Sequence, residues 1–102
     1  MTDDTRTKLD ELVRSHKVLL FMKGTRQFPA CGFSNTVVQI LKKEGVSFET
    51  VNILADPEIR AAMKEYSQWQ TFPQLYVGGQ FVGGCDIVTE MHQNGELAAV
   101  LK

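Results

Sequence analysis

Two cysteines, with a few lysines and arginines near them, carry most of the reactive chemistry in this 102-residue chain. The first, Cys31, lies in Phe28-Pro29-Ala30-Cys31-Gly32-Phe33-Ser34. Before it, Val18-Leu19-Leu20-Phe21-Met22 reads as a buried strand; after it, Val37, Val38, Ile40 and Leu41 recur at helical spacing through Lys42. Cys31 therefore falls at or near the first turn of a helix. Unpaired N–H groups and the positive end of the helix dipole favour an anion there. A thiol so placed is expected to titrate below its free value of about 8.5 and to act as a nucleophile or a metal ligand. Lys23, just past the strand, adds positive charge. The competing reading is a buried cysteine acting as a small apolar filler. It fits the strand–loop–helix position, with Pro29 and Gly32 alongside, less well.

The spacing also says what is missing. A dithiol motif reads Cys-x-x-Cys, and the fourth position here is Ser34. A serine hydroxyl cannot resolve a mixed disulfide at Cys31. A second sulfur must come from Cys85, a small thiol, another chain or a metal centre.

The elements that must position this thiol fit one domain spanning residues 1–102. A chain of this size buries roughly 60–70% of its extended surface on folding, enough for a core without a disulfide framework. Eleven basic and twelve acidic residues give a net charge of −1, which leaves no electrostatic footprint for nucleic acid or an anionic membrane. The longest apolar run, Val18–Met22, is far short of the roughly 20 residues that span a bilayer. The polar first ten residues carry no signal-peptide pattern. Two cysteines suit a reducing compartment better than a secreted scaffold.

In chain order, Asp3, Asp4 or Thr5 is expected to cap a helix reaching about Ser15, with Leu9, Leu12 and Val13 on one stripe. The strand Val18–Met22 follows, then a polar loop from Lys23 to Gln27 containing Gly24. The helix after Cys31 stops near Lys42-Lys43-Glu44-Gly45. Phe48–Ile53 alternates and reads as a second strand, parallel to the first through a right-handed crossover. Asp56-Pro57 opens a third helix bearing Ile59, Met63 and Tyr66 on one face. Phe72–Val77 and Gln80–Val82 form a hairpin about Gly78-Gly79. Gly83-Gly84 leads into Cys85-Asp86, a helix from about Ile87 to His92, and a last turn or two after Asn94-Gly95. A parallel β-α-β half followed by a hairpin and helix is the thioredoxin-like α/β plan: a four-stranded mixed sheet with helices on both faces.

Four motifs in order now match one family over essentially the whole chain. Phe21-Met22-Lys23-Gly24, Cys31-Gly32-Phe33-Ser34, Trp69 to Tyr76 and Gly83-Gly84-Cys85-Asp86-Ile87 resemble the monothiol glutaredoxins of the Cys-Gly-Phe-Ser type, in particular their single-domain bacterial, cyanobacterial and plastid members. The resemblance implies that Cys31 ligates iron and that Lys23, Arg60, Phe72, Cys85 and Asp86 hold glutathione. Thr71, Phe72 and Pro73 would form a cis-proline loop whose backbone pairs with the tripeptide. It also implies a location in a bacterial cytoplasm or, after removal of a transit peptide, a plastid stroma. One departure is Gln70, where the family usually has proline; it is expected to loosen this loop.

The residues suit that ligand. Glutathione has two carboxylates and an ammonium. Lys23 and Arg60 match the glycyl carboxylate, the N–H groups of Cys85 and Asp86 match the other, and the Asp86 carboxylate matches the ammonium. An extended loop ending in cis-proline offers a backbone edge for strand-like pairing. For Lys23 and Arg60 the ordinary alternative is a solvated surface charge; for Asp86 it is a helix N-cap. A 2Fe–2S cluster takes four ligands, usually thiolates. Two copies of Cys31 with two glutathione thiols reach four, so cluster binding implies a cluster-bridged homodimer serving iron-sulfur client or assembly proteins. The alternative is a glutathione-dependent thiol–disulfide oxidoreductase that deglutathionylates proteins through Cys31, with Cys85 as a candidate resolving thiol, and whose activity the family resemblance makes weak. A third reading is a thioredoxin-fold adaptor binding through Trp69 and the Cys31 surface.

Other candidates read more plainly. His16 and His92 have no ligand at metal-site spacing. Met22, Met63 and Met91 suit core or groove packing. Trp69 suits local packing beside its loop. The glycine pairs lack phosphate-loop spacing, and Ser34 lacks a hydrolase elbow.

Overall fold

The structure, a computed structural model, describes residues 1–102. Its elements run α1 (Asp3–Arg14), β1 (Val18–Met22), α2 (Gly32–Lys43), β2 (Glu49–Asn52), α3 (Pro57–Ser67), β3 (Gln74–Val77), β4 (Gln80–Gly83), α4 (Cys85–Asn94) and α5 (Glu96–Leu101). The sheet order is β2-β1-β3-β4. β1 is parallel to β2 and antiparallel to β3, and β3 is antiparallel to β4. This is the mixed four-stranded, thioredoxin-like sheet that the sequence implies.

β1 organises two cores because successive side chains of a strand point to opposite faces. Val18, Leu20 and Met22 enter one core with α2 (Val37, Val38, Ile40, Leu41), α4 (Val88) and α5 (Leu97, Leu101). Leu19 and Phe21 enter the other with α1 (Leu9, Val13), α3 (Met63) and Tyr76. With helices over both faces, all five β1 residues are buried. That is why the strand reads as a continuous apolar run, not as an alternating one.

Several boundaries differ from the sequence-based expectation. Thr2 caps α1: its hydroxyl accepts the Thr5 N–H at 3.1 Å. Asp3 and Asp4 lie in the first turn instead, where their charge still meets the helix dipole. β2 loses Phe48 and Ile53 from its ends; the Ile53 N–H nevertheless reaches the Met22 carbonyl at 2.9 Å. β3 begins at Gln74, after a cis Phe72–Pro73 peptide bond. α4 begins at Cys85, two residues ahead of Ile87, and runs on to Asn94. Asp56 caps α3 as expected, accepting from the Ile59 N–H at 3.1 Å, and Pro57 opens it. The Gly78-Gly79 turn has positive φ at both residues, 59° and 81°, which fits a tight two-residue hairpin.

Candidate functional site

The segment from Lys23 to Cys31 is a small closed loop. The Ala30 N–H donates to the Lys23 carbonyl at 2.9 Å, and the Thr25 N–H donates to the Phe28 carbonyl at 3.3 Å. The Phe28 N–H returns a bond to Thr25 Oγ1 at 3.0 Å. The loop is tied at two points, to β2 and to the residue just before it. Asn52 Oδ1 accepts the Gly24 N–H at 2.9 Å. The Arg26 guanidinium stacks 4.1 Å from the Phe48 ring centre and hydrogen-bonds the Phe48 carbonyl. Gly24 has φ +90°, and a Cβ there would lie 2.5 Å from the Ala30 nitrogen and 2.6 Å from the Phe28 oxygen. Only glycine lets the two arms approach this closely.

The loop delivers Cys31 as the N-cap of α2, in extended backbone with φ −150° and ψ 136°. A serine or aspartate oxygen at this position would accept from the second or third helical N–H. Here the sulfur stands beside those N–H groups without making a cap hydrogen bond. The Ser34 N–H does most to hold the thiol below its ordinary value; burial works in the opposite direction, and the Phe33 N–H, the Lys23 charge and the Ser34 hydroxyl add to the lowering. The sulfur is a free thiol and partly exposed.

Ser34 does more than fill the place of a second cysteine. It is fully buried, and its hydroxyl oxygen accepts the Lys23 N–H at 3.1 Å. The end of β1 is thereby joined to the first turn of α2. Sequence reasoning did not assign this role, because it depends on β1 and α2 meeting in space.

Beside the thiol lies a groove of about 410 Å³. Lys23, Thr71, Phe72, Pro73, Cys85 and Asp86 all line it, with Phe33, Trp69, Gly84 and Ile87 completing the wall. Six residues that the sequence singled out, spread over 64 positions from Lys23 to Asp86, are thus brought to one place. Cys31 itself stands two residues before Phe33 and is not part of the wall. Arg60, exposed on α3, lies outside it.

The groove lining carries groups of several chemical kinds. Cys85 and Asp86 open α4, so their N–H groups have no partner within the helix, and the N-cap Gly84 offers no side chain to occupy them. Lys23 contributes the cation and Asp86 an exposed carboxylate. Neither the N–H nor the carbonyl of Phe72 makes a hydrogen bond within the chain, which leaves a backbone edge along one side.

The Trp69–Pro73 wall is held by a residue that sequence reasoning passed over. Gln74 is fully buried, and its amide nitrogen donates to the carbonyls of Trp69 at 3.0 Å and Thr71 at 3.2 Å. The only available signal was a polar residue inside the otherwise apolar run Phe72–Val77. Trp69 packs on Phe81 with ring centres 5.8 Å apart while also lining the groove. Gln70 is exposed beside it.

Cys85 is a free, partly buried thiol whose nearest polar neighbour is Thr89 Oγ1 at 3.9 Å. His92 pairs with Glu44 at 2.8 Å and so links α4 to the end of α2, while His16 is exposed. No three His, Cys, Asp or Glu side chains come together as a metal site within one chain. Any iron held at Cys31 must therefore find further ligands outside this chain.

The family profile described as Glutaredoxin matches residues 18–82. An uncharacterized monothiol glutaredoxin, ycf64-like, from Synechocystis is 56% identical over 102 residues, covering all of this chain and 95% of its own. Chloroplastic monothiol glutaredoxin-S14 of Arabidopsis thaliana is 61% identical over 97 residues; these cover 95% of this chain but only 56% of that longer protein. Among solved structures, reduced poplar apo GrxS14 superposes with a TM-score of 0.80 at 60% identity, covering 92% of this chain and 86% of that one. The holo form of poplar glutaredoxin C1 superposes with a TM-score of 0.85 at 32% identity, covering 97% and 96%. With a thiol at a helix cap, a serine in the second-cysteine position and relatives of this kind across its whole length, the chain belongs to the monothiol glutaredoxins.

Proposed function

We propose that this protein binds glutathione in the groove beside Cys31 and, as a homodimer, carries a 2Fe–2S cluster that it passes to apo-proteins. The observation that carries the reading is the Cys31 cap. One thiolate is stabilised by helix N–H groups, and the position that could hold its partner is a buried serine bonded to Lys23. Such a sulfur is a good ligand with no second sulfur at hand. The chain has no multi-residue metal site of its own, so thiolates from a second copy and from glutathione complete the set. The cluster is cargo here, and the residue that holds it is Cys31.

The groove suits the tripeptide. Lys23 meets the glycyl carboxylate, and the Cys85 and Asp86 N–H groups meet the other carboxylate. The Asp86 carboxylate takes the ammonium, and the Phe72 backbone, between Thr71 and Pro73, takes the cysteinyl unit. At about 410 Å³ the groove lies within the range usual for small-ligand sites. Arg60 would join Lys23 only by extending its long side chain from outside the wall. A buckwheat glutaredoxin–glutathione complex, 26% identical with a TM-score of 0.82, supports the choice of ligand. The cyanobacterial and chloroplastic relatives fit a reducing bacterial or plastid compartment.

Protein reconstituted without oxygen in glutathione is expected to be brown, with about one cluster and two glutathiones per dimer. Cys31→Ser should lose all three. Equal iron and sulfide in Cys31→Ser would end this reading.

A second reading rests on the lowered thiol value and partial exposure of Cys31. The thiolate attacks the glutathione sulfur of a protein mixed disulfide. A Cys31–glutathione bond forms, and the protein thiolate leaves and takes a proton. A second glutathione thiolate then releases oxidised glutathione and restores Cys31. Cys85 lines the same groove and is the candidate for an intramolecular alternative. Turnover of a glutathione mixed disulfide, measured beside the visible spectrum, separates the two readings.

A further inference from the structure

We propose that Phe28 and Phe33 form the protein contact between two copies of this chain when they are joined at Cys31. The inference rests on the cluster-bridged dimer proposed above and names the surface that dimer would use. Phe28 is 82% exposed and Phe33 is 63% exposed. They sit three residues before and two residues after the thiol. Neither is a loose loop residue. Phe28 is fixed by bonds in both directions with Thr25, and Phe33 lies in the first turn of α2. Two large apolar side chains are therefore held out in water, in a strip from Phe28 to Phe33 whose one ionisable group is the Cys31 thiol itself.

Geometry says what covers them. A small group bound by both Cys31 sulfurs brings the second copy against the first at this residue. The Phe28 Cα is at most about 11 Å along the chain from the Cys31 Cα. The strip thus falls within the footprint of the second copy, and two-fold symmetry sets the same strip on both sides. Two phenyl rings per protomer supply much less than the 1,200 Å² or so of a stable interface. The strip cannot hold a dimer alone; it strengthens one that the shared group has already tethered. Charge does not oppose the approach, since the chain carries a net charge of only −1.

The test is sedimentation equilibrium of anaerobically reconstituted native protein, Phe28→Ser and Phe28→Leu over a dilution series. Glutathione affinity of the metal-free forms and cluster transfer to an apo-ferredoxin are measured in parallel. Phe28 is not part of the groove wall, so glutathione affinity should not move. Phe28→Ser should weaken the loaded dimer at least about tenfold, and Phe28→Leu should recover most of the loss. An unchanged dimer in Phe28→Ser overturns the inference and leaves the cluster reading standing. An unchanged dimer with slowed transfer also overturns it, and assigns the strip to client proteins. A native protein that holds its cluster as a monomer overturns both.

Discussion

Replacing Ser34 by alanine separates the two jobs that meet at this residue. The hydroxyl oxygen accepts the Lys23 N–H at 3.1 Å in a fully buried position. Alanine fills nearly the same space and leaves that N–H without a partner. Removing one partner from a buried hydrogen bond costs about 1–3 kcal/mol. At about 4–8 °C per kcal/mol for a domain of this size, the melting temperature should fall by at least about 4 °C. The thiol should respond differently. Its lowering comes first from the Ser34 N–H, which alanine retains, and the serine hydroxyl contributes least of the named causes. Cys31 should therefore titrate slightly higher than in the parent and still below the free value of about 8.5. The assay is the rate of iodoacetamide alkylation against pH in a Cys85→Ser background, so that one thiol reports, together with a thermal melt of each protein. A Ser34→Ala variant as stable as its parent would refute the connector role. A thiol returned fully to the free value would refute the assignment of its acidity to the helix N–H.

Three further outcomes follow from the same contacts. Gly24→Ala forces a left-handed φ that costs an L-residue about 1–2 kcal/mol and drives a Cβ into two backbone atoms at 2.5 and 2.6 Å; a total loss above about 2 kcal/mol is expected in denaturant melts, and a loss below about 1 kcal/mol would contradict the closed loop. Gln74→Leu removes the clamp on the Trp69 and Thr71 carbonyls along with a buried amide oxygen that has no partner; stability should change by less than about 1 kcal/mol while calorimetric glutathione affinity falls about tenfold, and an unchanged affinity would deny Gln74 its positioning role. Because the folded thiol titrates low, the unfolded chain binds more protons between the lowered and the ordinary thiol values, so Cys31 adds stability that is fully present above the ordinary value and is lost as pH falls through the lowered one. The stability of reduced native protein relative to Cys31→Ser should thus rise from pH 6 to pH 9 in urea titrations, and a constant difference would contradict it.

Most of the architecture was legible because β1, α2 and the Gly78-Gly79 hairpin each carry a strong local pattern. The Cys31 cap followed from the same source, since an apolar strand and an amphipathic helix bracket it. What escaped depends on contacts distant in sequence. Arg26 falls in the polar loop from Lys23 to Gln27, yet it lies over Phe48, 22 residues away. Ser34 and Gln74 looked like an absent cysteine and a strand residue, and both proved to be buried connectors. Thr2 escaped for a different reason: three good capping residues follow it, and local pattern alone does not choose among neighbours. Arg60 lies on α3, outside the wall that Lys23, Thr71, Phe72, Pro73, Cys85 and Asp86 share, a separation set by the course of α3 in space that no local pattern shows.

Lys23 is fastened through its main chain on both sides: its N–H goes to Ser34, and its carbonyl receives the Ala30 N–H. Neither bond involves the ammonium group. The charge offered to an incoming anion can therefore be exchanged, lengthened or removed while the scaffold around the thiol keeps its shape. This one position is a dial that retunes ligand preference independently of architecture.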